Sequence, residues 1–190
     1  MLYEGQSVEE IATIAKRDYA WAPPANDKFF AAESYPNSDN MDLLEKAVQG
    51  KLDPKDKVLT TPGYVDFFRK FGVQDIAIYD LSVDRLQKEP EPKKYWGDIS
   101  NRQIFRELLD SGRPTMLYLS NIPDHVRETS TSSGMVENID KSPYLKTVVV
   151  GQLFESGGYE KFVNQLIKQG WKKQEYFGVG QTEKMVIIQR

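Results

Sequence analysis

The chain has 190 residues, 39% hydrophobic and 28% charged, with a formal net charge of −3 at neutral pH. That length suits one domain, since a single core stops growing at roughly 250–300 residues, and the composition is too apolar for a wholly disordered chain. Cysteine is absent and histidine occurs once, which excludes disulfides, thiolate metal sites and a cysteine nucleophile and argues against zinc, while the slight acidity disfavours a nucleic-acid partner.

The opening Met1–Glu10 stretch carries acids and no apolar run. Nowhere do about 18 consecutive apolar residues occur, so no secretory signal or membrane partner is expected and the cytoplasm is the expected location. Residues 1–52 read as an extension packed on the core. Val8, Ile11, Ile14 and Ala15 fall at helical spacing, and an irregular aromatic segment follows with Tyr19, Trp21, Phe29, Phe30 and Tyr35 among prolines. A helix is predicted from Ser38 to Gly50, with Ser38 or Asn40 as N-cap and Leu43, Leu44, Ala47 and Val48 on one face.

Residues 53–190 read as the main domain. Short apolar runs alternate with amphipathic stretches from Lys57 onward, the pattern of strands joined by crossover helices in a mostly parallel sheet. Strands are predicted at Lys57–Thr61, Asp75–Asp80, Lys94–Asp98, Thr115–Ser120, Lys146–Gln152, Lys172–Gly178 and Lys184–Gln189. Helices are predicted at Gly63–Phe71, Ser82–Gln87, Asn101–Ser111 and Tyr159–Gln169, with a short turn near Pro123–Glu128. The Thr129–Gly134 run reads as part of a long connection, either a lid over a substrate or a flexible insert. Only Val179–Glu183 separates the last two strands, too few residues for a crossover helix, so those strands are predicted to pair as a hairpin.

Five helix-linked strands followed by a helix, a Gly170-Trp171 turn and a terminal antiparallel hairpin resemble the class I S-adenosylmethionine-dependent methyltransferase fold. The resemblance spans about Lys51 to Arg190 and rests on segment order. It implies an α/β three-layer Rossmann-like sandwich: a mostly parallel seven-stranded sheet with a C-terminal antiparallel hairpin.

In open α/β sheets ligands bind beyond the carboxyl ends of the strands, where strand order reverses. Asp80 closes the second strand about twenty residues after the first turn, the spacing at which nucleotide-binding sheets place an acid for ribose hydroxyls; the alternative is a cap for the next helix, for which Ser82 competes. The resemblance implies S-adenosyl-L-methionine as a small-molecule cofactor. It places Thr60, Thr61 and Gly63 at the turn where the family carries an acid and several glycines, of which Gly63 alone remains; an ordinary strand-to-helix turn is the other reading. It sets Leu81 beside Asp80, and Asp98 and Ile99 against the adenine, although Asp98 could instead cap the helix starting near Asn101. After the fourth strand it brings Ser120, Asn121 and Asp124 close to the transfer point. His125, the lone histidine, has a pKa range suited to taking a proton from the acceptor, or is an exposed loop residue.

These readings lead to methyl transfer to an unidentified acceptor. A non-catalytic scaffold that binds a protein partner, or aminocarboxypropyl transfer from the same cofactor, remains open. No Gly-x-x-x-x-Gly-Lys-Ser/Thr loop or Gly-x-Ser-x-Gly elbow is present, so phosphotransfer and hydrolase chemistry have no support. Nicotinamide binding would also use Asp80, but the terminal hairpin favours the methyltransferase layout.

Overall fold

Valine- and isoleucine-rich runs alternate with amphipathic segments, and the chain uses the first as strands and the second as covering helices. The computed structural model describes residues 38–80, 86, 93–97, 99, 101–120, 129–152, 157–178 and 184–190. In chain order the elements are α1 (Ser38–Val48), β1 (Lys57–Thr60), α2 (Val65–Lys70), β2 (Asp75–Asp80), β3 (Lys94–Trp96) and α3 (Arg102–Gly112). There follow β4 (Met116–Ser120), α4 (Thr129–Lys141), β5 (Thr147–Gln152), α5 (Gly157–Lys168), β6 (Lys172–Phe177) and β7 (Lys184–Gln189).

The strands form one seven-stranded sheet in the order β3-β2-β1-β4-β5-β7-β6. β1 to β5 pair in parallel, and β7 runs antiparallel between β5 and β6. The predicted hairpin is therefore present, as is the mostly parallel sheet. Successive side chains on each strand point to opposite faces. Leu59, Tyr79, Leu117, Val148 and Val186 meet Phe105 of α3, Ile139 of α4 and Leu166 of α5. Val58, Ile78, Tyr118, Val149 and Ile187 meet Leu44 and Val48 of α1 and Phe68 of α2. The result is a three-layer sandwich in which burial of each such side chain contributes about 1.5–3 kcal/mol.

Local chemistry sets the boundaries. Asn101 is the N-cap of α3, its side chain accepting from the N–H groups of Gln103 at 3.0 Å and Ile104 at 3.2 Å, so that helix has its cap without Asp98. β3 is shorter than predicted because the chain bends at Gly97, whose N–H still donates to the Asp80 carbonyl at 3.3 Å. β1 ends one residue early, at Thr60, ahead of the Pro62-Gly63 turn. β4 begins after Thr115, whose hydroxyl donates to Asp56 at 2.7 Å while its Oγ1 accepts from the Lys57 N–H at 3.0 Å.

The largest departure from the sequence reading is α4. Thr129–Gly134 is the start of a 13-residue helix rather than a loop. β4 and β5 are parallel neighbours, and a parallel connection needs a crossover, usually helical. Met135, Val136 and Ile139 are the buried stripe that holds this one down. Its far end is tied by Arg190, which donates to the carbonyls of Ser142 at 3.1 Å and Ile139 at 3.4 Å and lies 4.7 Å from the Trp171 ring. Trp171 in turn donates its indole N–H to Asp140 at 3.0 Å.

Candidate functional site

The chain builds outward from β1 through β2 to β3 on one side and from β4 to β5 on the other, so strand order reverses at the β1–β4 seam. This is the place where open α/β sheets hold ligands. Because β1 to β4 are parallel, their last residues Thr60, Asp80, Trp96 and Ser120 open onto one edge.

The seam itself is short. β1 pairs with β4 only at Val58↔Met116 and Leu59↔Leu117. On the flanks pairing runs further, to Thr60↔Ile78 between β1 and β2 and to Ser120↔Gly151 between β4 and β5. The β1–β4 ladder thus stops short of both neighbouring ladders at the carboxyl edge, a break in the pairing that forms a notch in the ladder between the two central strands.

Thr60 is fully buried and its hydroxyl donates to the Thr61 carbonyl at 3.4 Å. Thr61 is half-buried, Pro62 is buried and Gly63 is exposed with φ +89°. That left-handed backbone is one that glycine adopts without strain. Tyr64 follows, and its ring lies 4.6 Å from that of Tyr118, fixing the turn against β4.

Asp80 is half-buried at the end of β2, in register with Trp96. Its neighbour Tyr79 is buried and donates its phenol O–H to the Tyr118 carbonyl on β4 at 3.0 Å. Burial, and then the charge of Asp80, push that phenol well above its ordinary value, so it remains a donor. Ile99 is buried and belongs to the same cluster as Tyr79 and Phe105.

The structure therefore brings Thr60, Thr61, Gly63, Asp80 and Ile99 to the same sheet edge, with the Ser120 backbone ending β4 beside them. Leu81, Asp98, Asn121, Asp124 and His125 lie outside the described residues, as do the aromatic segment of residues 19–35, the predicted Pro123–Glu128 turn and most of the predicted Ser82–Gln87 helix. Leu86 of that helix is described, and it is helical and buried. The sequence reading gives Tyr79 no role beyond its place in the predicted Asp75–Asp80 strand. The only linear signal for its role is a tyrosine placed directly before a strand-ending acid.

The amino edge of the same strands is held by charge instead. Asp75 pairs with Lys93 at 2.6 Å and with Lys57 at 3.6 Å. Burial pushes the Asp75 carboxyl up, but the Lys93 hydrogen bond and charge, together with Lys57, outweigh it and hold the group below its ordinary value. Concavities among the described residues of the helix layer include one of about 130 Å³ between α3 and α4 and one of about 340 Å³ between α4 and α5. Arg102, Glu137 and Lys141 form ion pairs across the first, and neither is lined by a strand end. Among the described residues there is no cluster of side chains suited to a metal ion, and no helix is long and apolar enough to cross a membrane.

No protein-family profile matches the chain, and no curated protein does. Solved structures do. A SAM-dependent methyltransferase from Archaeoglobus fulgidus is 10% identical, with 87% of this chain and 100% of that chain covered at a TM-score of 0.60. A TehB-like SAM-dependent methyltransferase from Corynebacterium glutamicum is 13% identical, with 96% and 97% covered at 0.55. The glycopeptide N-methyltransferase MtfA, solved with S-adenosylhomocysteine, is 12% identical, with 89% and 98% covered at 0.55. The chain has the class I SAM-dependent methyltransferase fold.

Proposed function

We propose that this protein binds S-adenosylmethionine in the notch between β1 and β4 and transfers its methyl group to an acceptor. The observation that carries the reading is the strand order, with its reversal at the seam and an acid at the end of β2. The antiparallel β7 inserted beside β5 favours this cofactor over a nicotinamide.

The residues at the edge fit a nucleoside carrying a methionine tail. The Asp80 carboxylate suits paired ribose hydroxyls, the left-handed Gly63 turn lets a ligand approach backbone, and Ile99 and Asp98 suit the adenine. Leu81, Thr60, Thr61 and Ser120 complete the contacts, the buried Thr60 supporting the turn through Thr61. Bound there, the cofactor supplies an electrophilic methyl carbon on a positively charged sulfur. There an acceptor lone pair would take the methyl group, the sulfur–methyl electrons returning to sulfur and the acceptor losing a proton. Asn121 and Asp124 orient the acceptor and His125 takes the proton. Alignment alone supplies much of the acceleration in such a step. Residues 1–52 are an extension of the domain whose described helix α1 packs over β6 and β7, away from the β1–β4 seam, and the protein works in the cytoplasm.

Titration calorimetry with S-adenosylmethionine and S-adenosylhomocysteine tests the reading. Saturable heat is expected, and Asp80→Ala should weaken binding by about tenfold or more, the loss of a charged hydrogen bond. The buried Pro62, which offers no N–H, and the single glycine of the β1 turn favour a second reading, a non-catalytic scaffold. Absence of heat at millimolar ligand would select it. With an acceptor in hand, release of methylthioadenosine rather than S-adenosylhomocysteine would identify aminocarboxypropyl transfer.

A further inference from the structure

The geometry points to Tyr79 as the positioning residue of this site, a side chain that spans the end of β1 and ties the β2 end, bearing Asp80, to the β4 end, bearing Ser120. The inference rests on the cofactor reading above. β1 lies between β2 and β4, so a hydrogen bond from a β2 side chain to a β4 carbonyl bridges two strand spacings, about 9.5 Å of backbone separation. It is possible because β1 stops short. The β1–β4 pairing ends at Leu59↔Leu117, and the Tyr118 carbonyl one residue further on accepts from Tyr79 at 3.0 Å in a buried setting.

Tyr118 is gripped from both faces of the sheet. Its backbone is held by Tyr79 within the cluster under α3 to α5, while its ring packs among Tyr64 and Phe68 on the face of α1 and α2. The ribose carboxylate and the transfer point belong to strands that are not neighbours, and one buried phenol sets the spacing between them. Burial, and then the charge of Asp80, push that phenol well above its ordinary value, so at neutral pH it is a donor. Phenylalanine at this position fills the same space without fixing the carbonyl.

Tyr79→Phe is the test, with Val163→Ala on α5 as a control that loosens the same core away from the site. In labelled protein, Tyr79→Phe should shift the Tyr118 carbonyl carbon resonance and speed amide exchange at Leu119 and Ser120. Its affinity for S-adenosylhomocysteine should fall by about five- to tenfold, the scale of one hydrogen bond, while Val163→Ala lowers the Tm with affinity intact. Undiminished affinity in Tyr79→Phe, or an equal loss in the control, overturns the positioning role. No heat from the unmodified protein removes the cofactor reading, and this role with it.

Discussion

The sheet is fastened very differently on the two sides of β4. Toward β5 and β7 the strands pair over five and six positions and their valine and isoleucine side chains are buried on both faces. Toward β1 the ladder has two positions and then opens. The longer ladders lie in the half whose strands β5, β6 and β7 carry no candidate ligand residue, and the β1–β4 seam is held by side chains: Tyr79 and Tyr64 at the carboxyl edge, and Thr115 with Lys57 and Asp56 at the amino edge. A ligand notch needs strands that part, and a firm neighbouring half lets them part without loss of the fold.

Substitutions on either side should separate stability from binding. The largest effect is expected in the zipped half. Ile187, 1% exposed at the centre of β7, replaced by alanine should cost about 3 kcal/mol in urea unfolding, with affinity for S-adenosylhomocysteine unchanged in the folded protein. An equal loss of affinity would show that the two halves do not act separately.

Gly151 marks the junction. A Cβ there would lie 3.0 Å from the Tyr118 hydroxyl, so Gly151→Ala forces Tyr118 to move and should cost about 1–2 kcal/mol. Because Tyr118 also anchors the seam, binding should weaken in the same variant. A thermal melt matching the unmodified protein would remove Gly151 from the account.

The smallest effect concerns Asp75. Its folded pKa is depressed, so its contribution is present above the ordinary value of 3.8 and is lost as pH falls through the folded value. The group is partly exposed, with side-chain accessibility of 35%, so solvent screening limits that contribution to under about 1 kcal/mol. Asp75→Asn should flatten the acid limb of stability against pH below about 4 and leave neutral-pH binding unchanged.

Most of the fold was legible because it is written in side-chain period. Asp75–Asp80 and Lys184–Gln189 are predicted with the bounds observed, and the other strands differ by one or two residues at an end. α4 was missed because the Thr129–Ser133 run and Gly134 suggest a linker, while Met135, Val136 and Ile139 were too few to outweigh them. The parallel connection from β4 to β5 required a helix there regardless. The site was legible only in part. Asp80 is visible because the role proposed for it depends on spacing along the chain. The role of Tyr79 depends on where β1 stops relative to β4, a relation between segments that no local pattern encodes. Tyr118 and Gly151 are likewise linked only through the sheet.

The most direct test of the central claim is to follow backbone amide resonances while S-adenosylhomocysteine is added. Saturable shifts should concentrate at Gly63, Asp80, Gly97 and Ser120, around the notch between β1 and β4, with the β5–β7 ladder nearly silent. No saturable shift at millimolar ligand, or shifts confined to the groove between α3 and α4, would contradict a cofactor site at the seam.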